Sequence, residues 1–159
     1  RQGAAGAWRD AFIPSATNVG IGLGWVGNTV ESSITWERWP EFDKQVRSAT
    51  LAILNEVCGG GTVNCRFTHV YIDGPAPYYT FAGAYKPGIT GADQLTVKRA
   101  ISDAVMKAGG TITHHHAVGR LHRPWYDDQV PEPFARALKA AKKAVDPNGV
   151  LNPGVLIDP

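Results

Sequence analysis

Apolar residues recur at three- and four-residue intervals in some stretches of this chain and at every second position in others. In residues 36–57 the series Trp39, Phe42, Val46, Ala49, Ile53 and Val57 predicts an amphipathic helix. Pro40 suits its first turn, and Gly59 lies just past its end. A second helix is predicted over 92–108 from Leu95, Val97, Ala100, Ile101, Ala104 and Val105, ended by Gly109-Gly110. Residues 25–35 predict a strand with Val26, Val30 and Ile34. Residues 62–72 and 77–85 predict two strands of a hairpin joined by Asp73-Gly74-Pro75, the prolines shortening it or pushing it to an edge. Thr111-Ile112-Thr113 predicts a last, short strand. Helical pattern resumes near Pro124 and continues over 131–145, stopped by Asp146-Pro147-Asn148-Gly149. The order is βαββαβ-like. It predicts an α+β fold, an antiparallel sheet with helices on one face in a ferredoxin-like arrangement, followed by C-terminal helices.

Composition narrows the class. The 159 residues suffice for one domain of ordinary size, and 43% hydrophobic against 19% charged residues is a globular balance. A net charge of +2, with Lys and Arg scattered, gives no support for nucleic-acid binding. Lys139, Lys142 and Lys143 are expected on the solvated side of a helix. No apolar run approaches the roughly 20 residues of a membrane span, and the first residues carry no signal-peptide pattern. Cys58 and Cys65 flank Gly59-Gly60-Gly61; without a CxxC spacing they are expected as free thiols of a reduced, cytoplasmic protein. Met106 is the sole methionine, which suggests a piece of a longer chain.

Candidate chemistry gathers at His114-His115-His116. Imidazole both takes and gives protons near neutral pH. On an extended segment His114 and His116 would face one way and His115 the other. A surface tract, a metal site and a catalytic role all remain open on this pattern alone. Tyr78 and Tyr79 point to opposite faces of a strand, one to the core and the other to a cavity. Arg66 on the partner strand suits an anion if it shares that cavity, while His69 has no evident partner. Arg120, His122 and Arg123 make the segment after the histidines basic. Gly20, Gly22 and Gly24 lack the spacing of a nucleotide loop. No Ser-His-Asp order or nucleophile elbow occurs. Adjacent histidines also lack His-Glu-x-x-His spacing, so no metal is expected; His115 with His69 or His122 would be the ligands to inspect.

Several stretches together carry a resemblance. They are His114-His115-His116-Ala117-Val118-Gly119, Arg120-Leu121-His122-Arg123-Pro124-Trp125, the ending from Asp146 through Leu151-Asn152-Pro153-Gly154, and Glu31-Ser32-Ser33-Ile34-Thr35-Trp36. With Cys65-Arg66 and the strand through Tyr78, they resemble the C-terminal portion of FAD-linked oxidases of the vanillyl-alcohol-oxidase type, in the branch containing the ether-lipid enzyme alkyldihydroxyacetonephosphate synthase. The resemblance implies a FAD cofactor bound mainly by an N-terminal flavin domain. Residues 1–24 would then be an irregular lead-in from that domain, 25–116 a cap-type domain over the substrate, and 117–159 a helical return to the flavin domain. It implies catalytic roles for His115, His116 and Tyr78, one histidine removing a substrate proton. It further implies cofactor contacts from His114, His116, Arg120 and Asn152, and substrate contacts from Arg66 and Thr17, against a small or lipid-like substrate. Thr17 stands where that branch has an arginine, and Ala117 where the family has glycine. The alternatives are a FAD-dependent oxidoreductase of an alcohol or 2-hydroxy acid, and a cap-fold module without chemistry. Separated from the flavin-binding part, the piece is expected to be inactive. A homodimer is left open.

Overall fold

The computed structural model describes residues 23–158. Its elements are β1 (Gly27–Glu31), α1 (Trp39–Cys58), β2 (Gly61–Val70), β3 (Pro75–Gly83), α2 (Gly91–Lys107), α3 (Gly119–Gln129) and α4 (Glu132–Val145). The sheet is antiparallel with strand order β1-β3-β2. The predicted α+β class and both long helices are therefore present.

The helices follow from their stripes. On α1, Phe42, Val46, Thr50, Leu54 and Cys58 recur at four-residue steps and are all buried. Left-handed Gly59 ends the helix, its N–H returning to the Asn55 and Leu54 carbonyls. On α2, Val97, Ile101 and Val105 form the matching stripe, and a capping box between Thr90 and Asp93 starts the helix. The two stripes meet Val30, Tyr79 and Phe81 of the sheet in one core. Both cysteines are free thiols, and burial raises the pKa of each.

Three expectations are corrected. The hairpin prolines do not send their strand to an edge, because β3 is the central strand. Pro75 and Pro77 use their carbonyls to accept from Ile34 and Ser32. Backbone N and O of a strand residue point the same way, so their missing donors face that segment, and the ladder with β1 stops at Glu31. Second, Thr111-Ile112-Thr113 forms no strand. The Thr111 amide donates to the Ser33 carbonyl, but the Ile112 amide donates instead to Oε1 of Gln129 on α3, at 3.1 Å. Gln129 also donates to the Gly110 carbonyl, so a side-chain amide stands where a strand partner would. Third, Lys142 is not on a solvated face: it pairs with buried Asp146 and donates to the Leu151 carbonyl. Asp146 also accepts from the Val150 and Leu151 amides, both at 3.0 Å, which fixes the turn after α4.

The junction of α2 with the histidine segment is tight. A Cβ on Gly110 would lie 2.5 Å from the Phe42 ring and closer still to the Ser32 hydroxyl, whereas one on Gly91 would meet nothing within 4 Å. Gly110→Ala is expected to lower stability by about 1–3 kcal/mol through overpacking. Gly91→Ala should change it by no more than about 0.5 kcal/mol. Urea unfolding of the two variants checks the contrast.

Candidate active site

Register determines which side chains share a face. Glu31 of β1 and Arg66 of β2 both pair with Tyr78 of β3, so Glu31, Tyr78 and Arg66 form a row across the sheet on the face opposite Tyr79. The Tyr pair divides as expected: Tyr79 is fully buried, while Tyr78 is half-buried on the row. A bulge at Thr68 then shifts the phase of β2, so that His69 pairs with Ala76 and stands on the same face as Arg66. Simple alternation from Arg66 would have put His69 on the other side.

Glu31 is the residue that sequence reasoning missed. Its side chain is 1% exposed. Oε1 accepts from the backbone amides of His114 at 2.9 Å, His115 at 2.6 Å and His116, and from the Thr113 hydroxyl at 2.8 Å. Burying a carboxylate costs several kcal/mol. Four hydrogen bonds to a charged acceptor, at roughly 1.5–3 kcal/mol each, exceed that. Accordingly, burial pushes the Glu31 pKa up, but the bonds from His116, Thr113, His114 and His115 outweigh it and hold the pKa at about 2. The three amides converge as a small anion nest. This geometry replaces the expected alternation of the histidines, because the segment wraps one oxygen instead of extending along a strand.

The imidazoles fan out from that nest. Nδ1 of His115 is 2.7 Å from Glu31 Oε2, and Nδ1 of His116 is 3.9 Å from Oε1. Oε2 is buried without a hydrogen bond of its own, since the His115 contact is close without being aligned as one. The His115 ring lies 6.3 Å from that of Tyr78 at 27°, and His116 meets Tyr78 edge-on at 5.3 Å. Arg66 sits over the Tyr78 ring at 4.9 Å, and the Tyr78 hydroxyl donates to Thr29 Oγ1 at 3.2 Å. His114 turns away, its Nε2 3.0 Å from the Tyr71 hydroxyl, and His69 stacks on Tyr71. Burial lowers the His116 pKa against the opposing pull of Glu31.

The remaining expectations fall elsewhere. Arg120 donates to the Pro153 carbonyl and so ties α3 to the turn holding Asn152. His122 is buried, with Nδ1 3.1 Å from the Ala117 carbonyl, so it supports the loop from behind. Thr17 lies outside the described residues. Ligand atoms of His69, His114 and His115 lie within 4.8 Å of one another, as do those of Glu31, His115 and His116; of the two partners weighed for His115, His69 is adjacent and His122 is not. Lys98, also unforeseen, is buried and donates to the Thr29 carbonyl; burial draws its pKa down to about 8, with Glu31 opposing. Its signal was a lysine in the apolar stripe beside Val97 and Ile101. A cleft of about 370 Å³ touches the histidines through His114.

An α+β sheet that gathers imidazoles, a phenol and a guanidinium on one face is the architecture of the candidate site. The chain belongs to the family "FAD linked oxidases, C-terminal domain", which matches residues 1–156. Alkyldihydroxyacetonephosphate synthase of Caenorhabditis elegans is 29% identical over 146 residues, covering 89% of this chain and 24% of that protein. The Dictyostelium discoideum enzyme of the same name is 30% identical over 90 residues, 57% of this chain and 15% of that one. A solved structure of alkyldihydroxyacetonephosphate synthase shares the fold with a TM-score of 0.60 at 15% identity, over 96% of this chain and 24% of that one. The chain thus spans a quarter or less of the length of these relatives. FAD is the cofactor of the family. The donor set fits it: the partly exposed imidazoles of His115 and His116 offer N–H groups to an acceptor-rich ring.

The sign of the pH dependence follows from Glu31. Its folded pKa lies below the unfolded value, so its stabilisation is full above about pH 4.5 and is lost as pH falls towards 2. A shift of that size corresponds to about 3 kcal/mol. Urea unfolding between pH 7 and 3 should show the larger part of this fall, about 2 kcal/mol, and Glu31→Gln should be less stable at pH 7 by about 2–4 kcal/mol and flatter with pH.

Proposed function

We propose that this chain is the substrate-side wall of a FAD-dependent enzyme resembling alkyldihydroxyacetonephosphate synthase. His115 or His116 takes a proton from the substrate, Tyr78 orients it, and Arg66 holds its anionic group. The observation that carries this reading is the row Glu31–Tyr78–Arg66 with two imaginable bases, His115 and His116, packed on its central phenol. Bound flavin supplies an electron-pair acceptor next to the substrate. This chain's part is to bind, orient and move the proton. Imidazole both takes and gives protons near neutral pH, which suits that task, and general base catalysis of this kind contributes about 10²–10⁴-fold. Arg66 offers a planar, permanently charged fork to phosphate or carboxylate.

The greater part of the flavin's binding site, on this reading, lies in a portion of the enzyme outside these residues. The stripe Phe134, Leu138, Ala141 and Val145 of α4 supports this, since α4 buries no residue of its own. His114, His116, Arg120 and Asn152 are the candidates to meet the cofactor. A second reading, oxidation of an alcohol or 2-hydroxy acid, is favoured by Arg66 being, among the described residues, the one guanidinium over the Tyr78 ring, since one guanidinium matches a single carboxylate. The two differ in outcome, because a synthase exchanges groups without net oxidation and an oxidoreductase leaves reduced flavin.

The natively purified enzyme should show bound-flavin absorption, with intact mass defining every chain present. In that flavin-loaded enzyme, replacing by alanine whichever of His115 and His116 takes the proton should lower kcat about 10²–10⁴-fold. Unchanged turnover in both variants would exclude the histidine mechanism and leave the chain a cap without chemistry.

A further inference from the structure

The three adjacent imidazoles have different surroundings, and the difference selects one of them. His114 is engaged at Nε2 by the Tyr71 hydroxyl, at 3.0 Å. His116 faces Oε1 of Glu31 from 3.9 Å, and that oxygen already accepts from three amides and a hydroxyl. His115 alone faces Oε2, at 2.7 Å from Nδ1, and Oε2 is buried with no hydrogen bond. Its ring also lies nearly parallel to Tyr78.

Two proton arrangements suit this cluster. In one, His114 donates from Nδ1 to Nδ1 of His115, 3.1 Å away, and the His115 proton sits on Nε2. A ring lone pair would then face a carboxylate oxygen at 2.7 Å, two acceptors in contact, and Oε2 would stay unsatisfied at a cost of about 1–3 kcal/mol. In the other, the His115 proton sits on Nδ1 and a small rotation of the ring aligns it on Oε2. His114 then keeps its proton on Nε2, donating to Tyr71. The second arrangement gives buried Oε2 its donor and places a proton against the negative charge, leaving only Nδ1 of the partly exposed His114 without a donor from the protein, so it wins.

We infer that Glu31 is a positioning residue: through Oε2 it holds the proton of neutral His115 on Nδ1, leaving Nε2 of His115 as the basic atom of the site. The assignment of a base rests on the proposed function; the tautomer does not. Glu31 itself touches neither substrate nor cofactor. The same carboxylate thus does two jobs, Oε1 shaping the loop and Oε2 setting which ring nitrogen is free, as the buried carboxylate of a catalytic triad sets its histidine's tautomer.

The test is imidazole ¹⁵N NMR of the full chain in chelator-treated buffer, above the titration range of the histidines. The wild type should show neutral His115 protonated on Nδ1, against the Nε2–H form that free histidine favours in water. Glu31→Gln should reverse it, because an amide NH₂ at the Oε2 position donates to Nδ1. A wild-type His115 protonated on Nε2 overturns the inference, and so does a folded Glu31→Gln with an unchanged tautomer; amide-shift dispersion shows whether the variant is folded. The wild-type spectrum decides alone if it is not. In the flavin-loaded enzyme, Glu31→Gln should lower kcat about 10²–10⁴-fold with KM little changed. A reversed tautomer with wild-type kcat would instead sink the histidine base of the proposed function, which separates the two failures.

Discussion

A single buried carboxylate oxygen draws this site together. Three consecutive amides and a hydroxyl reach Oε1 of Glu31, so residues 113–116, more than 80 positions away in sequence, are shaped around the end of β1. An ionised carboxylate in such a place is stable only while all those donors remain, and the loop keeps its turn only while the charge remains. Chain path and charge are therefore one cooperative unit. Around it, Ser32 and Ser33 bond Thr111, and Gln129 bonds both Gly110 and Ile112, so the loop is secured from the residues just after β1 on one side and from α3 on the other.

The rest of the fold serves to keep that unit in register with the sheet. The core of α1, α2 and the inner sheet face holds β3 by Tyr79 and Phe81, while the residue just before them, Tyr78, is delivered to the outer face. Because pairing places Glu31 and Arg66 on either side of Tyr78, a slip of one residue in either ladder would remove one of them from the row. Packing on one side of the sheet thus sets the chemistry available on the other.

Much of this was legible in the sequence. Period-3.6 stripes gave α1 and α2 to within three residues at each end, and alternation separated Tyr78 from Tyr79. The histidine run and its neighbours carried the family. The role of Glu31 was not legible, because a glutamate at the end of a strand reads as an exposed residue until its donors, distant in sequence, are placed around it. The loop form of Thr111–His116 was hidden for the same reason: β-favouring Thr-Ile-Thr reads as a strand, and only tertiary bonds from Gln129 and to Glu31 override that preference. The central position of β3 was masked by its prolines, whose carbonyls do the pairing that their nitrogens cannot. Uninterrupted alternation from Arg66 would put His69 on the other side, and nothing in Phe67-Thr68-His69 announces the bulge that brings it round.

That bulge divides the hairpin into two stretches whose facing can change separately. Up to Phe67 the ladder is held in phase by Arg66 against Tyr78, and beyond Thr68 it runs in the other phase, with His69 against Ala76. Gain or loss of one residue at this point would exchange His69 for a neighbour beside the histidine loop and leave the Arg66–Tyr78 pair undisturbed. The outer half of the site is consequently free to diversify by single-residue length changes, while the half that carries the proposed proton transfer stays fixed.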